Sequence, residues 1–119
     1  MQVKILWADD EIELLKPHIL FLEAKGYTVD AVNNGSEAVE KSESNTYDII
    51  LMDLSMPVMD GYEATVIIRG MNTLIPIIAL TASSSYSYLE KALQIGVTDY
   101  IIKPFNPKEL NMKMRRYYK

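Results

Sequence analysis

The chain has 119 residues, 49% of them apolar and 24% charged, which suits one compact domain burying roughly 65 to 70% of its unfolded surface and leaves no room for two. It contains no cysteine, which excludes zinc fingers, thiol catalysis and a disulfide scaffold. With 12 Lys and Arg against 16 Asp and Glu, the net charge of -4 argues against nucleic acid as the direct partner, because phosphate contacts draw on excess basic charge. No apolar run approaches the roughly 18 residues of a membrane span, so no membrane insertion is expected. The start of the chain lacks the basic and apolar blocks of a secretory signal, and a cytoplasmic location is the expectation.

Taken in order, Val3 to Ala8 is a short apolar run ended by Asp9-Asp10-Glu11, the pattern of a buried strand. Glu11 to Lys25 predicts a helix: Ile12, Leu15, Ile19 and Leu22 recur at helical spacing, Leu14 and Phe21 widen the stripe, and Gly26 stops it. Tyr27 to Val32 predicts a second strand, closed by Asn33-Asn34-Gly35, and Ser36 is expected to open the next helix. Three more strands follow at Tyr47 to Met52, Ile75 to Leu80 and Val97 to Ile102. Helices are expected over Gly61 to Met71, Ser84 to Ile95 with Gly96 closing it, and Lys108 to Lys119 with Pro107 in its first turn. Five strand-then-helix units with apolar strands imply a parallel sheet covered on both faces, an α/β sandwich built by right-handed crossovers.

In such sheets ligands bind beyond the carboxyl ends of the strands. The residues there are Asp9 and Asp10 after the first strand, Asp53 after the third, Thr81-Ala82 after the fourth and Lys103-Pro104 after the fifth. Taken singly, an acidic pair before a helix is an ordinary cap, and Thr81 or Lys103 an ordinary turn residue. Jointly they put three carboxylates, a hydroxyl and an ammonium on one rim. Carboxylates about 5 Å apart repel by roughly 3 kcal/mol per pair at an effective dielectric near 20. A divalent cation relieves that, and Mg²⁺, with its preference for hard oxygen ligands, is the natural candidate. A cation, an ammonium and a hydroxyl around a carboxylate form a cradle for a phosphoryl group in transfer.

Asp9-Asp10-Glu11, the run from Met52 through Asp53 to Gly61, Leu80-Thr81-Ala82 and Lys103-Pro104-Phe105 together resemble the signature of the receiver (CheY-like) domain of two-component response regulators, over essentially the whole chain. The resemblance implies a single receiver domain over residues 1–119 with a flavodoxin-like (βα)5 fold of strand order 2-1-3-4-5. It implies that Asp53 accepts a phosphoryl group from a phosphohistidine of a histidine kinase or phosphotransfer protein. It further implies that Asp10, Asp53 and the Ser55 carbonyl ligate Mg²⁺, with Asp9 acting directly or through water. Lys103 would pair with the phosphoryl group, Thr81 would hydrogen-bond it beside Ala82, and Tyr100 would swing inward to signal a downstream output protein or domain. Ser55 and Ser83 match positions that influence the lifetime of the phosphorylated state, and neither supplies an acid or amide to orient water. Pro104 is a cis-proline candidate, because a tight turn that aims Lys103 is where such bonds occur.

Other residues carry plainer expectations. Gly61 is read as permitting a turn geometry that other residues resist, His18 as a solvated surface residue, and Lys113, Arg115, Arg116 and Lys119 as the exposed face of the last helix. Tyr86 and Tyr88 lie in or near the fourth helix as possible partner contacts, and Trp7 is bulkier than the small aliphatic residue expected beside the acidic pair. An aspartate-nucleophile phosphatase would need a second acid where Ser55 stands, and a flavin-binding domain would need a phosphate-cradling loop where Asp9-Asp10-Glu11 stands. A receiver segment of a hybrid sensor histidine kinase is the alternative within the same family, and the run from Met56 to Thr65 looks somewhat like those receivers.

Overall fold

The strands β1 (Lys4–Ala8), β2 (Thr28–Val32), β3 (Ile49–Asp53), β4 (Ile77–Thr81) and β5 (Asp99–Ile102) alternate with the helices α1 (Lys16–Ala24), α2 (Gly35–Ser44), α3 (Gly61–Met71), α4 (Tyr86–Ile95) and α5 (Pro107–Met114). They belong to a computed structural model that describes residues 2–118. All strand pairs are parallel, in the order β2-β1-β3-β4-β5. This is the expected flavodoxin-like arrangement.

The sheet divides two apolar cores. Because side chains alternate across a strand, Leu6, Ala8, Ile50, Met52, Ile77 and Ala79 face α2, α3 and α4, where Ala38, Ala64, Ile68 and Ala92 meet them. Ile5, Trp7, Ile49, Leu51, Ile78 and Leu80 face α1 and α5 and pack on Leu22, Leu110 and Met114. β3 and β4 are buried along their whole length, which is why they read as unbroken apolar runs. The last three strands begin two residues later than the apolar pattern predicts. Tyr47, Ile75 and Val97 are buried, but they precede the first paired residue, and burial rather than pairing produced their signal.

The predicted first helix is divided. Ile12–Leu15 is a 3-10 turn, and the α-helix begins at Lys16 with Pro17 in its first turn. Proline lacks an N–H and its ring clashes with the carbonyl four residues earlier, so a continuous α-helix through Pro17 is disfavoured. Leu14, expected on the buried stripe, is 73% exposed. α2 is opened by Asn34 instead of Ser36: the Asn34 side chain accepts from the Glu37 amide at 2.8 Å. α4 starts at Tyr86, two residues late, because Ser83 and Ser85 form local bonds, Ser83 N–H to Thr81 Oγ1 and Ser85 N–H to Ser83 Oγ, both at 3.1 Å, that hold the segment out of the helix.

α5 ends at Met114 rather than running to Lys119. Beyond it the chain turns so that the Tyr117 hydroxyl donates to Asp99 and the Tyr118 hydroxyl meets that of Tyr27. Lys113, expected on the exposed face, is half-buried, with Nζ 3.4 Å from Asp99 Oδ1 and 5.8 Å from the Tyr100 ring centre. Arg115 and Arg116 are exposed, and Lys119 lies outside the described residues.

Gly61 serves a different end from the one expected. Its φ is not positive; instead a Cβ there would fall 2.1 Å from the Asp53 carbonyl oxygen and 2.8 Å from Leu54 Cα. In the same loop Val58 takes φ +68°, Met59 N–H donates to Pro57 O at 2.7 Å around it, and the Val58 side chain is 84% exposed. That is a positive-φ γ-turn centred on a β-branched residue, a strained arrangement. The next residue's carbonyl, Met59 O, accepts from Gly35 N–H at 2.9 Å and so ties this loop to the start of α2.

His18, expected on the solvated surface, is half-buried. Its ring stands edge-on to both Trp7 and Phe105, and Nε2 donates to the Phe105 carbonyl at 2.9 Å. Trp7 is fully buried and stacks on Phe105, so its bulk is accommodated between α1 and the β5–α5 connection.

Candidate functional site

The register brings the ends of four strands to one rim: Ala8 pairs with Met52, Asp53 with Leu80 and Thr81 with Ile102. One carboxylate oxygen from each of Asp9, Asp10 and Asp53 lies within 4.8 Å of the others. Asp9 and Asp53 are buried and Asp10 is exposed. Lys103 reaches the same place, its Nζ 3.0 Å from Asp9 Oδ2 and 3.4 Å from Asp53 Oδ2.

Local turns aim these carboxylates. Asp9 Oδ1 accepts from the Glu11 amide at 2.9 Å, and Asp53 Oδ1 from the Ser55 amide at 3.1 Å. Each bond folds the chain back just after its strand and leaves the second oxygen facing the rim. Asp9 Oδ2 is buried at ion-pair distance from Lys103 without a hydrogen bond of good geometry. Burial and the charge of Asp9 push the Asp53 carboxyl up to about 7, against the Ser55 amide and Lys103, which favour its ionised form. Burial disfavours the Lys103 ammonium, but Asp9 and Asp53 outweigh it and raise its pKa.

Three carboxylates against one ammonium leave excess negative charge. An all-oxygen donor set with a buried, incompletely satisfied oxygen and one exposed member fits a small hard dication that keeps part of its water. The rim opens into a cleft of about 410 Å³ lined by Asp10, Asp53, Ser55, Thr81, Ala82 and Lys103. Thr81 is buried at its edge; its Oγ1 accepts from the Ser83 amide, which leaves the hydroxyl hydrogen to be donated. Ala82 and Ser55 are exposed, and the Lys103–Pro104 peptide bond is cis. Tyr100 does not line this cleft. It is half-buried on the α2–α4 side of the sheet, with Lys113 over its ring.

Two wall residues escape the sequence pattern. Tyr62 and Tyr88 complete the cleft, the Tyr62 hydroxyl donating to the Tyr88 carbonyl at 3.4 Å and Lys91 Nζ lying 4.4 Å from the Tyr62 ring centre. Tyr88 carries only the signature of an exposed helix tyrosine, and nothing in the periodicity marks Tyr62 as more than a residue after Gly61.

A family model described as the response regulator receiver domain matches residues 5–115. The chain belongs to this family. As a receiver domain of two-component systems it is 38% identical over 114 residues to the transcriptional regulatory protein ResD of Bacillus subtilis (strain 168), a match covering 96% of this chain and 47% of ResD. The receiver thus spans about half the length of that relative. Among solved structures it superposes on the chemotaxis protein CheY4 of Vibrio cholerae with a TM-score of 0.92 at 31% identity, covering 98% of this chain and 99% of CheY4. It superposes on the receiver domain of sensor histidine kinase PA1611 from Pseudomonas aeruginosa PAO1 with a TM-score of 0.89 at 39% identity, covering 98% of both chains, and that receiver holds a magnesium ion in its active site cleft. Among the described residues no helix is long and apolar enough to cross a membrane.

Proposed function

We propose that residues 1–119 act as one phosphoacceptor domain in which Asp53 takes a phosphoryl group from the phosphohistidine of a histidine kinase or phosphotransfer protein. The observation that carries this reading is the setting of Asp53: a buried carboxylate at the end of β3, facing the Lys103 ammonium at 3.4 Å and opening on the cleft. An Asp53 oxygen attacks phosphorus as the P–N bond breaks; the bonding electrons leave with the imidazole, which takes a proton from solvent. Positioning and charge stabilisation supply the catalysis.

Asp10, Asp53 and the Ser55 carbonyl would hold Mg²⁺, with Asp9 acting directly or through water. Bound there, the ion offsets the charge of the carboxylates and of the phosphoryl oxygens. The oxygen donor set and the magnesium in the similar PA1611 receiver support this assignment. Lys103 pairs with the transferred group, and the Thr81 hydroxyl donates to it beside Ala82. Movement of Thr81 frees space on the α2–α4 side of the sheet for Tyr100, and a downstream protein or domain reads the repacked surface in the cytoplasm.

The test is intact-mass measurement after incubation with acetyl phosphate, with and without Mg²⁺. A labile, Mg²⁺-dependent phosphoryl adduct is expected on the wild type and none on Asp53→Asn. An adduct of equal yield on the variant removes Asp53 from its role.

A further inference from the structure

We propose that His18, on α1, is a positioning residue for Lys103: by holding the Phe105 carbonyl it sets where the ammonium stands in the cleft. This rests on the phosphoacceptor reading above. His18 belongs neither to the acidic rim nor to the cleft lining, so its effect passes through the β5–α5 connection.

The His18–Phe105 bond spans 87 positions in sequence. A carbonyl can only accept, so Nε2 carries the proton and the tautomer is fixed by this partner. The ring is held in orientation by aromatic neighbours, edge-on to Trp7 at 6.4 Å and 87° and to Phe105 at 5.5 Å and 86°, while Trp7 and Phe105 stack at 6.4 Å and 30°. Trp7 in turn precedes Asp9 by two residues, and Phe105 follows Lys103 by two. One imidazole therefore joins the connections that carry two members of the charged rim.

The polar ties of the β5–α5 connection are few. At its start, the Lys103 amide donates to the Thr81 carbonyl at 2.8 Å. At its end, Asn106 and Glu109 bond one another as the cap of α5. Between them, among the described residues, the His18 bond is the one hydrogen bond that ties residues 104–106 to an element other than α5. Losing it leaves the Phe105 carbonyl without a partner beside a buried ring, and the connection is then drawn toward water. Lys103 Nζ sits at 3.0 and 3.4 Å from two carboxylates, so a displacement of about 1 Å at its backbone is enough to change both contacts.

The experiment measures the initial rate of phosphoryl uptake from acetyl phosphate in Mg²⁺ for the wild type, His18→Phe, His18→Gln, Lys103→Ala and the double variant His18→Phe/Lys103→Ala. Phenylalanine keeps the ring and removes the donor; the glutamine amide restores a donor near the Nε2 position. Uptake about fivefold slower in His18→Phe is expected, the loss of one hydrogen bond, with recovery in His18→Gln and no further loss when His18→Phe is added to Lys103→Ala. Additive loss in the double variant, no recovery with glutamine, or wild-type rate in His18→Phe overturns the positioning role. A wild type that takes up no phosphoryl group overturns the phosphoacceptor reading and this proposal together, whereas phosphorylation of the wild type with His18→Phe unchanged sinks this proposal alone. Should His18→Phe not fold, nitrogen NMR of the wild-type imidazole decides: a ring that carries a proton at Nε2 supports the bond, and one with no proton there refutes it.

Discussion

Gly61 lies against the backbone of Asp53 so closely that a methyl group there would stand 2.1 Å from the Asp53 carbonyl oxygen. The first turn of α3 is thereby pressed onto the strand end that carries Asp53. Since the obstructing atoms are backbone, Gly61→Ala must displace either α3 or the end of β3. Overpacking of this kind costs about 2 to 3 kcal/mol. Chemical denaturation should show a loss of that order, and phosphoryl uptake from acetyl phosphate should fall by more than the small fraction unfolded explains.

The raised pKa of Asp53 gives a stability prediction with a definite sign. Its folded value of about 7 lies above the ordinary aspartate value near 4, so between those pH values the native state binds more protons than the unfolded chain. In metal-free buffer this group's contribution therefore weakens as pH rises through that window. The difference in unfolding free energy between Asp53→Asn and wild type should widen from pH 4 to pH 7, reaching about 1 to 2 kcal/mol in favour of the variant after discounting for solvent screening. Mg²⁺ at pH 7 should raise the wild-type Tm and leave that of Asp53→Asn nearly unchanged.

Asp99 behaves in the opposite sense. Burial would raise its pKa, but the Tyr117 hydroxyl, the Tyr100 amide and Lys113 outweigh burial and hold it below the usual carboxylate range. A depressed folded pKa adds stability above the unfolded value and loses it as pH falls through the folded one. Tyr117→Phe should cost about 1 kcal/mol at pH 7, measured by urea unfolding, and less at a pH low enough to protonate Asp99 in the wild type.

Val58 is the opportunity for stabilisation. At φ +68° with its side chain exposed, it has backbone strain and little packing to lose. Val58→Gly relieves the left-handed penalty of about 1 kcal/mol, partly offset by the greater freedom glycine gains when unfolded. A small rise in Tm is expected, and a fall would show that the exposed valine packs more than its surface suggests.

Much of this architecture is legible from residue order alone. The α3 limits, the Gly96 stop and the rim of Asp9, Asp10, Asp53, Thr81 and Lys103 follow from apolar periodicity and from the rule that chemistry gathers at strand ends. Local competition defeats the pattern elsewhere: Pro17 breaks the first helix, Asn34 takes the cap from Ser36, and Ser83 and Ser85 delay α4. The remaining differences are long-range. His18 has no neighbour in sequence to reveal that Phe105 lies across from it, and Lys113 reads as a surface residue until β5 brings Asp99 to it.

The two apolar layers have a consequence for how a message leaves the rim. Asp53 shares strand parity with Ile49 and Leu51, and Lys103 with Ile101, all on the α1–α5 side, whereas Thr81 shares parity with Ile77 and Ala79, and Tyr100 packs with them. The sheet is thus a partition with the charge on one side and Tyr100 on the other, and Thr81, at the margin of β4, stands where the wall ends. On the proposed reading, a change at Asp53 is relayed around that margin by Thr81 and Tyr100, so repacking deep in the layers and away from Tyr100, Trp7 and Phe105 should change how firmly the domain stands while leaving what it reports untouched.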